Sequence, residues 1–193
     1  MSNVLIPFDD AAIAAEAVAS TQRWLELAVI GLNLCPFAKA VHVKRQIRYA
    51  VTAATTADAL LAELNHELAL LAQAKAEEID TTLLIHPRAM TDFIDFHFFL
   101  QEADAANAIL GLEGTVQIAS FHPAYEFAGS APDDIANFTN RSPHPTLHLL
   151  REASVDRAVA AFPDAAAIYE RNIETLHRLG HEGWRRLWTP DPG

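Results

Sequence analysis

The chain has 193 residues and a mass of 21.1 kDa; with 51% hydrophobic and 20% charged residues it holds material for one substantial core and is too apolar for intrinsic disorder. Its formal net charge of -11 and pI of about 5.1 disfavour nucleic acid and anionic membrane as partners, because both attract basic surfaces. A single globular domain over residues 1–188 with a loose tail at 189–193 is expected, and the charge leaves the oligomeric state open.

The first residues, Met1 to Asp10, are acidic where a secretory signal has a basic start, and no apolar run reaches the roughly 20 residues of a membrane span. Asp9 and Asp10 offer N-cap chemistry for a long Ala-rich helix in which Ile13, Ala17, Trp24, Leu27, Ala28 and Leu34 recur at helical steps, and Pro36 stops it. Cys35, just before that proline, is the one cysteine, which rules out an internal disulfide and fits a cytoplasmic location. It reads either as a buried inert thiol or as a reactive one helped by the basic residues that follow. Those residues, Lys39, His42, Lys44, Arg45 and Arg48, form either a solvated loop and strand start or a patch for a small anion.

A β-leaning segment spans about Lys44 to Thr52, and Thr56 caps a second helix with the stripe Leu60, Leu61, Leu64, Leu68 and Leu71. Asp80 introduces "TTLLIHP", a strand buried on both faces. Thr91, with Asp92 and Asp95 in the first turn, opens a third helix to about Asn107, with His97 on the same face as Phe93, Phe96 and Leu100 and therefore expected in the core. Gly111 and Gly114 precede "TVQIASFHP", the clearest strand. This alternation predicts an α/β (or α+β) fold with a small, mainly parallel sheet of at least three strands and a helical C-terminal third. His86 and His122 then end two strands at one edge, where such sheets collect ligands.

From His122 to Pro145 there is no periodicity, and structureless loops beyond about 12 to 15 residues are usually functional or disordered. Phe121, Tyr125, Phe127 and Phe138 favour the former. Pro145 suits the first turn of a helix "PTLHLLREA", which would put His148, Arg151 and Glu152 on one side and Leu147 and Leu150 on the other. Ser154 caps "VDRAVAAF", Pro163 opens a longer helix to Gly180, and Trp184, Leu187 and Trp188 form an amphipathic tail.

These positions carry three candidate chemistries. His122 or His148 would move a proton, with Glu152 orienting a histidine and Tyr125 assisting. His122, His148 and Glu152 would alternatively hold a divalent metal, a set to which His144 would add a fourth ligand. Arg141 and Arg151 would grip a carboxylate or phosphate, helped by Asn137 and Asn140. The bland alternatives are a surface ion pair for the helix side chains and backbone ties within a long loop for the amides and Arg141.

With "GLNLCPFA", "QIASFHPAYEFAG" and "NFTNRSPHPTLHLLRE" in view, the chain resembles the bacterial family known as domain of unknown function 1415 over nearly its whole length. The positions matching its motifs are Cys35, Pro36, His122, Pro123, Tyr125, Asn137, Asn140, Arg141, Ser142, Pro143, His148, Arg151 and Glu152. His144 stands where an aromatic is expected, which weakens it as a ligand. The resemblance implies a shared cytosolic domain and no particular reaction. The residues lead to the expectation of a small enzyme acting on a small anionic metabolite by histidine acid/base chemistry at the sheet edge. The alternatives are a metal protein or enzyme, a non-catalytic binder of the same ligand, or an interaction module using the Trp-rich tail.

Overall fold

The computed structural model describes residues 8–160 and 167–189. Helix α1, Phe8–Trp24, runs into a π-helical turn, Leu25–Ile30, and a short α2, Ala38–Val43, leads to strand β1, Ile47–Val51. Helix α3, Ala57–Gln73, begins where the Thr56 hydroxyl accepts the Ala59 N–H. Strand β2, Thr81–Ile85, is buried throughout, and α4, Phe93–Ile109, is capped by Asp92 rather than Thr91. Strand β3 is Val116–Phe121, a short 3-10 turn covers Ile135–Thr139, and β4, Thr146–Arg151, passes into α5, Glu152–Ala160, followed by α6, Ile168–Arg186.

The fold is mixed α/β, with one four-stranded sheet in the order β1-β2-β4-β3. β1 pairs parallel with β2, whereas β4 lies antiparallel to both β2 and β3. Three strands therefore run the same way, as their intervening helices require, and a fourth, reversed, fills the gap between two of them. Two of the three pairings are antiparallel, so the sheet is less parallel than its helical crossovers imply.

That fourth strand corrects the helix expected at Pro145. Leu147 and Leu149, two apart, both face the core beneath α3 and α4 at 0% exposure, whereas a helix would have joined Leu147 to Leu150. The open edges of β2 and β3 supply a full ladder of partners, which outweighs local helix propensity.

The sheet is covered on both faces. Leu60, Leu64, Leu68, Phe96 and Phe99 pack from α3 and α4 onto Ala50, Leu84, Leu147 and Leu149. On the other face a second cluster gathers Trp24, Leu25, Ala28, Leu34, Ile135, Leu176 and Trp184, with Tyr49 and Phe121 packed against it. Trp184 is buried in this cluster, and Trp188 packs against it as a partly buried residue. The loops stand on buried polar ties as well: Arg48 forks onto buried Glu67 at 2.7 and 2.9 Å, and Asp10 pairs with Arg88 at 2.5 Å in addition to lying in the first turn of α1. His97 is exposed on α4, contrary to its expected place in the core, because Phe96 and Phe99 define the inward face. The helix start assigned to Pro163 and most of the tail at 189–193 lie outside the described residues.

Candidate functional site

Because β1, β2 and β3 run in one direction, His86 and His122 do end at the same edge of the sheet. His86 follows β2; its Nδ1 meets the Ala89 carbonyl at 2.9 Å and its buried Nε2 has no hydrogen-bond partner among the described residues. His122 follows β3, is 1% exposed, stacks on Phe96 at 5.2 Å, accepts the Ala124 N–H at Nδ1 and directs Nε2 to the Met90 carbonyl at 3.2 Å. Burial holds the His86 imidazole down to about 4 and lowers that of His122, which favours the neutral form of both. Tyr125 sits near His122 through the Phe93 ring, 5.4 Å from His122 and 5.3 Å from Tyr125, and burial raises its hydroxyl pKa.

His148 lies elsewhere. It sits on the β4 face opposite Leu147 and Leu149, beside Phe121, whereas His122 faces α4 on the other side of the sheet. Its Nε2 is 2.7 Å from the Thr81 hydroxyl, which itself donates to the Leu149 carbonyl at 2.6 Å, and desolvation brings its pKa to about 4. Glu152, first residue of α5, donates its N–H to the Thr115 carbonyl at the edge remote from His122. His122, His148 and Glu152 therefore fall on two faces and two edges, and neither the shared acid/base pocket nor the metal set can form. Among the described residues no group of three His, Cys, Asp or Glu side chains is gathered to hold a metal.

The anion clamp fails for a related reason. Three apart on a strand, Arg151 and His148 cannot share a face, and Arg151 reaches back to the Leu71, Ala74 and Ile79 carbonyls at 2.6, 2.5 and 3.1 Å, closing the C-terminal end of α3. Asn137 is fully buried, accepts from the Phe127 N–H and the Ser130 hydroxyl, and donates to the Ala131 carbonyl. Asn140 donates to the Ser120 carbonyl at 3.2 Å. These amides tie the long loop to the sheet. Cys35 packs against the second cluster, and burial pushes its thiol up despite the backbone N–H groups of Phe37 and Ala38, which disfavours the thiolate.

Arg141 belongs to a different place. Its Nε and one terminal nitrogen donate to the Tyr125 and Pro132 carbonyls at 3.1 and 2.7 Å, while the guanidinium carbon stands 4.4 Å from the centre of the Phe138 ring. It lines a groove of about 450 Å³ together with Arg23, Trp24, Phe138, Trp184 and Trp188. Four sequence segments meet here. Ser20, Arg23 and Trp24 project from one side of α1 at helical spacing, Trp184 and Trp188 come from the end of α6 and the turn after it, Pro123 follows β3, and Ser142 and Pro143 precede β4. Edge-to-face contacts of 5.0 Å between Phe138 and Trp184 and 5.6 Å between Trp184 and Trp188 set the walls. Arg23 donates to the Trp188 carbonyl at 2.7 Å, clipping the tail to α1.

Both arginines hydrogen-bond to neutral carbonyls, and among the described residues neither lies in an ion pair. His144 stands at the rim, with Nε2 3.1 Å from the Ser20 hydroxyl and 3.3 Å from a Glu16 carboxylate oxygen. In the basic segment after Cys35, Arg48 is taken by Glu67 and His42 lies 3.4 Å from Glu26. Sequence reading missed Ser20, Arg23 and Trp24 as site residues and offered Trp184 and Trp188 only as an interaction tail, although the spacing of Ser20, Arg23 and Trp24 was a visible signal of a shared helix face.

Fold and groove together define a small mixed α/β domain with an arginine-bearing, aromatic-walled cleft beside its sheet edge. The chain belongs to the family described as protein of unknown function (DUF1415), whose model matches residues 16–186. No curated protein and no solved structure matches it. Among the described residues no helix is long and apolar enough to cross a membrane.

Proposed function

We propose that this protein is a small enzyme whose substrate is a small anionic metabolite with a flat apolar portion, bound in the groove between α1, the end of α6 and the loop before β4. The observation that carries this reading is the pair of guanidinium groups, Arg23 and Arg141, lining one apolar groove with no carboxylate in an ion pair with either among the described residues, Glu126 acting on Arg141 only through its charge at longer range. A carboxylate or phosphate supplies the missing counter-charge, and Trp24, Phe138 and Trp184 offer ring faces and edges to an apolar body. Acid/base work falls to His144, the histidine at the rim, where Ser20 and Glu16 together fix the direction of its Nε2.

A second reading, a non-catalytic carrier or sensor, is favoured by the groove lining itself, which among the described residues contains no histidine or carboxylate and meets His144 through Ser20. Tryptophan fluorescence separates binding from its absence. Benzoate and phenyl phosphate are expected to quench it with affinities about tenfold above that of benzyl alcohol, the worth of one charge-assisted hydrogen bond. Arg23→Gln, which spares the loop ties made by Arg141, is expected to erase that preference. Equal binding of the neutral alcohol sinks the anion reading. A screen of aromatic and aliphatic acid derivatives tests turnover: activity lost in His144→Gln with binding retained supports the enzyme, and binding without any turnover supports the carrier.

A further inference from the structure

We propose that the outer face of α4 is a docking surface for a basic amphipathic helix of another protein. This helix buries Phe96, Phe99 and Ala103 in the core, yet Ile94, Phe98 and Ile109 stand 59%, 62% and 86% exposed. With exposed Ala105 these residues are spaced by four, seven and four, so they form one continuous stripe along about 22 Å of helix. A helix apolar on two opposite sides is the kind that packs between two partners, and here the described residues cover only one of those sides.

Charge selects the occupant. Asp95 and Glu102 border the stripe on one flank and Asp104 on the other; no Lys or Arg occurs between Phe93 and Ile109, and among the described residues none of these three acids is in an ion pair. A second copy laid along α4 would bring these acids against one another in a chain that already carries -11, which opposes self-association. A helix with an apolar seam and Lys or Arg on both flanks satisfies the seam and all three acids at once. The surface lies on the α3 side of the sheet, away from the groove, so the two readings stand or fall separately.

The test uses the whole chain and a designed, fluorescently labelled peptide of about 18 residues with a leucine seam and lysine flanks, alongside a leucine and glutamate counterpart. Anisotropy is expected to show binding of the lysine peptide that weakens with added salt and drops by about tenfold or more in Phe98→Ser and in Ile94→Ser, with the glutamate peptide failing to bind. Because both substituted side chains are exposed, unchanged circular dichroism and melting temperature keep that result interpretable. The proposal is overturned if Phe98→Ser binds the lysine peptide as well as the parent does, since attraction would then be non-specific. It is equally overturned if the glutamate peptide binds, or if sedimentation shows a dimer of the parent chain that Phe98→Ser dissociates, which would make a second copy the occupant.

Discussion

The hydroxyl of Thr81 and the Nε2 of His148 stand 2.7 Å apart across the two central strands, with that hydroxyl donating its own hydrogen bond to the Leu149 carbonyl. The imidazole is thereby fixed as its neutral Nε2–H tautomer inside the sheet. Thr81→Val removes the acceptor and leaves a buried N–H unsatisfied; we expect a loss of about 1 to 3 kcal/mol in chemical denaturation. Stability within about 0.3 kcal/mol of the parent would show that the bond contributes little.

Two buried histidines set an acid limit. His86 and His148 titrate near 4 in the folded chain against 6.5 when exposed, so the unfolded chain binds more protons between those values. Stability is therefore complete above pH 6.5 and falls as pH drops toward 4, by about 1.4 kcal/mol per pH unit for each histidine. Denaturation midpoints measured from pH 7 to 5 are expected to decline, and His148→Gln is expected to flatten that slope. A slope unchanged by the substitution would remove His148 from the account.

Arg151 caps α3 from a distant strand. Its four hydrogen bonds reach carbonyls at the end of that helix and in the turn after it, where the helix dipole is negative. Arg151→Ala is expected to cost about 2 to 3 kcal/mol, and Arg151→Lys to recover only part, because an ammonium cannot span three carbonyls with a planar fork. Full recovery by lysine would reduce the role to charge alone.

The Arg48 and Glu67 pair couples β1 to α3. Glu67 is 3% exposed, whereas the Arg48 side chain is about a third exposed, so Arg48→Ala strands a buried carboxylate while solvent softens the penalty to about 2 to 3 kcal/mol. Arg48→Ala combined with Glu67→Leu is expected to be more stable than Arg48→Ala alone; a double variant no better than the single one contradicts the explanation.

Gly180 interrupts α6 with φ 64° and ψ 173°, a conformation open to glycine and strained for other residues, although nothing stands within 4 Å of the point where a β-carbon would project. Gly180→Ala is expected to cost about 1 to 3 kcal/mol through the backbone alone. A neutral or stabilising effect would mean that the helix straightens readily.

Much of the scaffold could be read from local signals. Thr56 followed by the leucine stripe of α3, the unbroken apolar run of β2 and the alternation in β3 each agree with one period only. Residues 146–151 satisfy two, since Leu147 pairs with Leu150 at helical spacing and with Leu149 at strand spacing, and the choice was made by strands more than twenty residues away. That single difference rotated His148 and Arg151 onto opposite faces and dispersed the site expected on a helix. The amides and Arg141 misled differently, because a loop held to its sheet and a loop holding a ligand use the same side chains. The groove draws on α1 and on the chain's last described turn, a meeting that no local pattern announces.

The reversed strand between β2 and β3 also dictates an order of assembly. As the chain leaves the ribosome, both strands emerge with bare edges facing a gap that residues 146–151 alone can fill. Until that strand is made the protein holds a β1–β2 pair and, once residue 121 is made, a lone β3 strand, each with an unpaired edge open to pairing with other nascent chains. Fragments ending before residue 146 should therefore aggregate, and the final quarter of the chain acts as the internal keystone that makes the earlier three quarters safe.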